Sequence, residues 1–143
     1  MLKNLYVTSS TKRINRLQVH RLVSLLKEDL KFNLDTLFIN FITSEEIHKI
    51  NKKYLNHDRS TDIITFNYSG DHNELDGEIF ISVEDAEVFA KKYKVTPNKE
   101  IIRLIIHGIL HLKGYNDISK VDRTKMKKIE NNLTNKYNFA LLK

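Results

Sequence analysis

The spacing of apolar residues changes period several times along the chain, and each change marks an element of secondary structure. Asn4 to Thr8 reads as a short strand, after which Ile14, Leu17, Leu22, Leu25 and Leu26 recur at helical spacing through about Leu30. Thr36 to Ile42 is rich in β-branched and aromatic residues and reads as a second strand. Ser44 has the chemistry of a helix N-cap, and Glu45 and Glu46 behind it complement the positive end of the helix dipole, so a helix is expected to about Tyr54. Asp62 to Tyr68 predicts a third strand, Gly70 to Gly77 a polar loop, and Glu78 to Ser82 a fourth strand feeding a helix that ends near Tyr93.

Pro97 and Asn98 open the next helix, in which Ile101, Ile102, Leu104, Ile105, Ile106, Ile109, Leu110 and Leu112 are apolar on nearly every face. A helix of this kind belongs in the centre of the molecule. Gly114 is placed to close it, and a last amphipathic helix from about Lys120 to Lys136 is expected to turn Val121, Ile129, Leu133 and Tyr137 towards the core. The pattern as a whole predicts an α+β fold, a four-stranded sheet packed with about five helices.

Composition narrows the class of protein. A length of 143 residues suits one domain spanning 1–143, and a 41% hydrophobic fraction with 29% charged residues is that of a chain that folds throughout. Without cysteine there is neither a disulfide framework nor a thiolate metal site, so any transition metal must be held by imidazole and carboxylate. Neither a secretory signal nor an apolar run of about 18 residues is present, so the expectation is a cytoplasmic protein with no membrane partner.

The net charge of +6 suits a polyanion such as RNA. Basic residues gather at Lys12, Arg13, Arg16 and Arg21, at Lys91, Lys92 and Lys94, and at Lys120, Arg123, Lys125, Lys127 and Lys128. Each cluster taken alone also reads as the solvated face of a helix.

The most informative feature is the pair His107 and His111. Four residues apart on the apolar helix, they project from one face, one turn from each other. Gly114 can adopt the left-handed conformation that turns the chain back and brings Asp117 towards them. Two histidines and one carboxylate, with a fourth position open, form a catalytic zinc arrangement in which bound water loses a proton near neutral pH. The competing reading is two core histidines with Asp117 capping the final helix. It leaves several imidazole donors and acceptors to satisfy in an apolar helix, whereas a metal takes one nitrogen from each ring. The remaining histidines, His20, His48, His57 and His72, read as solvent-facing.

These residues resemble a known family. The segment His107-Gly-Ile-Leu-His-Leu-Lys-Gly-Tyr-Asn-Asp117 is similar to the signature of the YbeY proteins, H-G-x-L-H-L-x-G-Y-D-H, and departs from it at the last two positions. Asn51-Lys-Lys-Tyr54 followed by Asp58-Arg-Ser-Thr-Asp-Ile-Ile-Thr-Phe66 resembles the family's N-x-x-Y-R-x-x-D-x-x-T-D-V-L-S-F, and Gly77-Glu-Ile-Phe-Ile-Ser82 its G-D-I-x-I-S strand. The resemblance covers roughly half the chain. It implies a single-strand-specific, metal-dependent endoribonuclease of ribosomal RNA maturation, including the 3′ end of the small-subunit rRNA. One zinc ion would be held by His107, His111 and Asp117. Ribosomal RNA and ribosomal proteins would be partners, and no nucleotide cofactor is implied.

Two departures bear on the chemistry. Asp117 stands where the family has a third histidine, and its charge makes the metal a weaker Lewis acid. Leu55 stands where the family has an arginine near the metal, and Arg59, four residues on, is either a substitute or a loop surface charge. A general base is not evident. The position after His107, where a zincin carries glutamate, is Gly108, which argues against proteolysis, and Asp62 and Glu78 read as structural. Two alternatives therefore stand beside the nuclease: a zinc-stabilised ribosome-assembly factor that binds RNA without cutting it, and a metallohydrolase of another substrate.

Overall fold

The structure is a computed structural model and describes residues 1–55 and 61–143. In chain order the elements are β1 (Leu5–Ser9), α1 (Arg16–Leu30), β2 (Asn33–Ile42), α2 (Ser44–Leu55), β3 (Ile63–Asn67), β4 (Glu74–Ser82), α3 (Val83–Lys92), α4 (Pro97–Leu112) and α5 (Lys120–Lys136). The four strands form one sheet in the order β1-β2-β4-β3. β1, β2 and β4 are parallel, and β3 lies antiparallel to β4 at the edge. The parallel pairs need crossovers: α1 links β1 to β2, while α2 and β3 lie between β2 and β4.

Strand alternation sorts the sheet into two faces. Leu5 and Val7 pair with Leu37 and Ile39, which in turn pair with Gly77 and Ile79, and this face meets the central helix α4. The eight apolar residues that run from Ile101 to Leu112 on α4 are each no more than 1% exposed. Burial of a side chain that size stabilises by about 1.5–3 kcal/mol, so α4 is the packing centre of the fold, as its sequence implies. The opposite face carries Tyr6, Phe38, Asn40, Glu78 and Phe80, and α2 lies over part of it, with Tyr54 edge-on to Phe66.

The α+β expectation holds, and the differences are local. β2 and β4 begin earlier than their apolar runs, because Asn33 pairs with Glu74 at their outer ends and their side chains bond across the strands at 3.1 Å. The polar loop after Gly70 is shortened accordingly. The α2 cap is Thr43, one residue before the expected Ser44: its Oγ1 accepts from Glu46 N at 3.1 Å while the Glu46 carboxylate accepts from Thr43 N at 3.2 Å, a reciprocal capping box.

Two apolar residues expected inside are outside. Val121 is 77% exposed and Leu17 54%. The buried stripe of α5 is Met126, Glu130 and Leu133, with Thr134 beside it and Tyr137 continuing it just past the helix end, and Val121, five residues before Met126, falls on another side of the helix. In α1 the inward face is Val19, Leu22, Val23 and Leu26. Asn98 ties down the C-terminal segment: its Oδ1 accepts from Leu141 N and Leu142 N, and its Nδ2 donates to the Phe139 carbonyl. Among the described residues no helix is long and apolar enough to cross a membrane.

Candidate metal centre

Local sequence sets both ends of α4. Thr96 caps the start, accepting from Lys99 N at 3.1 Å, and Pro97 occupies the first turn, where its missing N–H costs nothing. At the other end Gly114 has φ +98°, its N–H donates to the His111 carbonyl, and Tyr115 N donates to the Leu110 carbonyl. This is a Schellman closure, and the left-handed residue is a glycine, as expected from the sequence. A side chain there would also collide with His72, whose Cε1 lies 2.5 Å from where the Cβ would stand.

The two imidazoles at the end of α4 face each other with Nε2 atoms 3.0 Å apart and rings nearly perpendicular at 79°. Past the closure the chain returns over them. Asn116 Oδ1 accepts from Ile118 N, Arg123 Nη1 donates to the carbonyls of Asp117 and Ile118, and Ser119 caps α5. The Asp117 carboxylate is thereby held next to the histidines, and one ligand atom from each of His107, His111 and Asp117 lies within 4.8 Å of the others.

These residues fit a metal ion. Two ligands at about 2.0–2.1 Å on a tetrahedral ion stand about 3.3 Å apart, close to the separation of the two Nε2 atoms. Imidazole and carboxylate are the donors such an ion takes in the absence of thiolate. Burial, and then the neighbouring His107, lower the pKa of His111, which favours the neutral ring that a metal requires.

Behind His107 stands a group that pattern reading misses. Glu130 of α5, only 5% exposed, accepts from His107 Nδ1 with Oε1, and its Oε2 accepts from Arg103 Nη1 at 3.2 Å. Arg103 is also gripped by Glu100 through two bonds of 2.8 and 2.6 Å. These contacts, led by the Glu100 hydrogen bond, push the Arg103 pKa further up. Burial alone would raise the Glu130 pKa, but the His107 and Arg103 contacts outweigh it and the result is a lowered value. Asp62 lies near the same cluster. Burial, with the Glu100 charge added, raises its pKa to about 6. A signal was present: Glu100, Arg103 and His107 form a polar stripe at helical spacing on an otherwise apolar helix, and Glu130 interrupts a buried stripe.

The open side of the histidine pair is a hollow of about 280 Å³ lined by Leu55, Ile63, Ile64, Thr65, Asn67, His107, His111 and Leu112. Leu55 thus puts an apolar wall at the site, and Arg59 and His57 lie outside the described residues. Glu78 is on the far face of the sheet, where it bonds Asn40 and Tyr68 at 2.6 and 2.7 Å, which removes it from the chemistry. His20, expected in solvent, is 5% exposed and accepts from Leu2 N, because α1 turns that side inward. His48 is half-buried and His72 exposed. Of the basic clusters, the one on α5 borders the site through Arg123 and through Lys125, whose ammonium sits 5.8 Å from the centre of the Tyr115 ring.

The fold and this donor group define an α+β protein with two histidines and a carboxylate gathered at the end of a buried helix. The chain belongs to the YbeY family: residues 4–138 match the family model described as Endoribonuclease YbeY. It is 40% identical over 130 residues to the Endoribonuclease YbeY of Azobacteroides pseudotrichonymphae genomovar. CFP2, covering 89% of this chain and 92% of that one. To the protein of the same name from Amoebophilus asiaticus (strain 5a2) it is 41% identical over 100 residues, 68% of each chain. The solution structure of TM1509 from Thermotoga maritima superposes with a TM-score of 0.64 at 26% identity, covering 92% of this chain and 90% of that one.

Proposed function

We propose that the chain, folded as one domain, is a zinc-dependent endoribonuclease that cuts single-stranded ribosomal RNA in the cytoplasm during ribosome maturation, including the 3′ end of small-subunit rRNA. The observation that carries the reading is the convergence of His107, His111 and Asp117 within 4.8 Å, the two histidines lining a hollow beside the edge strand. The names of the relatives supply the reaction class.

A bound ion would supply a Lewis acid for the phosphoryl oxygens and an activated water. The protein's own contribution is positional. His107 and His111 offer ring nitrogens from a rigid helix, and Asp117 adds a negative charge that moderates the ion's acidity relative to three histidines. Ile63, Ile64 and Leu112 give the hollow an apolar wall, which lowers the local dielectric and strengthens electrostatic interactions beside it. Arg123, Lys125 and Lys128 give the phosphodiester chain a positive approach along α5.

The test measures metal content by mass spectrometry on untagged protein, for wild type, His111→Ala and Asp117→Ala, alongside cleavage of single-stranded rRNA fragments. One zinc per chain in the wild type, lost together with cleavage in both variants, is the expected result. Zinc with RNA binding but no cleavage would turn the reading to a non-catalytic assembly factor, and no metal in the wild type would end it.

A further inference from the structure

A buried carboxylate on a stripe that elsewhere carries methionine, leucine and tyrosine is a costly choice, and Glu130 is committed to two contacts. A neutral imidazole has one N–H. With a carboxylate against Nδ1 that proton belongs on Nδ1, so the Nε2 lone pair points to the place where His111 Nε2 and the Asp117 carboxylate converge. The carboxylate itself is held from behind, since Arg103 is clamped by Glu100 one turn earlier on the same helix and reaches α5 with its remaining nitrogen. The arrangement ties the end of α4 to α5 at the His107 ring.

We propose that Glu130 is a positioning residue for the metal centre, fixing His107 as the Nδ1–H tautomer with Nε2 aimed at the shared site, and that Arg103, anchored by Glu100, holds Glu130 in that role. The inference rests on the metal reading above. Its rival is a purely structural ion pair between α4 and α5, and replacing Glu130 by leucine separates the two. Leucine suits the buried stripe, and Arg103 keeps its two bonds to Glu100, so the cation is not left unpaired, which is what makes removal of one partner of a buried pair so costly; Glu130→Gln, nearly isosteric, separates lost packing from lost charge.

The experiment uses full-length wild type, Glu130→Leu and Glu130→Gln, each stripped of metal. Long-range proton–nitrogen correlation spectra read the His107 tautomer in the metal-free proteins, zinc affinity is read by competition with a chelating dye, and melting is followed in parallel. Wild type is expected to show a protonated Nδ1. In Glu130→Leu the tautomer preference is lost and zinc affinity falls about 10–100-fold, while the metal-free protein still melts in a single cooperative transition, at a somewhat lower temperature. Glu130→Gln, which keeps an acceptor oxygen, recovers part of both. Zinc affinity in Glu130→Leu within twofold of wild type would overturn the inference and leave the metal reading standing. A wild type that binds no zinc would overturn the metal reading, and the tautomer spectra would still report whether Glu130 sets the His107 ring.

Discussion

Gly108 of α4 lies so close to Ile79 of β4 that a methyl group on it would stand 2.8 Å from Ile79 Cδ1 and 3.2 Å from Cγ1. The residue after the first histidine is therefore the one that seats the helix on the sheet, which leaves no room there for the glutamate of a zincin. Gly108→Ala gains about 1 kcal/mol of helix propensity but overpacks a fully buried isoleucine, at a cost of about 1–3 kcal/mol. A net loss of about 1 kcal/mol is expected, seen as a lower urea midpoint with an unchanged slope. Zinc affinity should fall with it, since His107 and His111 move with the helix. A variant as stable as wild type would mean that Ile79 has space to yield.

Much of this arrangement is legible from sequence, and the reasons differ by residue. The α4 histidine pair and the Gly114 turn are local features, set by a four-residue spacing and a backbone angle that suits glycine, so they can be read without the fold. The Glu130 contact joins residues 23 apart on two helices, and although the α5 period marks the glutamate as out of place in a buried stripe, it does not say which residue it meets. Val121 is misplaced by pattern reading because an apolar residue in the first turn joins the stripe unless its angle is set against Met126 and Leu133. The longer β2 and β4 depend on pairing between strands, which apolar patterning does not encode.

Asp62 makes stability depend on pH in an unusual direction. Its folded pKa is raised from 3.8 to about 6, chiefly by burial and then by Glu100. The folded state therefore holds the proton more tightly than the unfolded chain, and stability is lost as pH rises through the window between those values, by up to about 3 kcal/mol. Asp62→Asn should match wild type near pH 4 and exceed it by about 1–3 kcal/mol above pH 6. Urea midpoints at a series of pH values give the difference curve, and a flat difference would show that Asp62 is not the group responsible.

Arg123 acts on the site through the backbone that carries Asp117. Its Nη1 bonds the Asp117 carbonyl at 3.4 Å and that of Ile118 at 3.1 Å, bracing the segment from which the Asp117 carboxylate projects. Arg123→Ala should cost at most about 1 kcal/mol of stability while lowering zinc affinity several-fold through a looser third ligand. Arg123→Lys keeps the charge without the planar fork, so it should recover RNA binding more fully than zinc binding. Equal recovery of both would assign Arg123 to the RNA path alone.

Leu55 gives the sharpest view of where this chain departs from its family's pattern. It lines the hollow shared by His107 and His111 and is 40% exposed, so a longer side chain from this position has both a route to the site and access to solvent. The hollow's remaining wall is largely apolar, with Ile63, Ile64 and Leu112 around Thr65 and Asn67, and among the described residues that line it none is an arginine or lysine. A phosphate against this wall meets no cation from it. Leu55→Arg should therefore tighten binding of a short single-stranded RNA and steepen the salt dependence of that affinity by about one phosphate contact. Little change in stability is expected, because leucine at a helix end with this exposure contributes little to the core. Affinity measured from low to moderate salt decides the matter: a steeper slope places RNA against this hollow, whereas an unchanged slope means the phosphates pass elsewhere, along the basic face of α5.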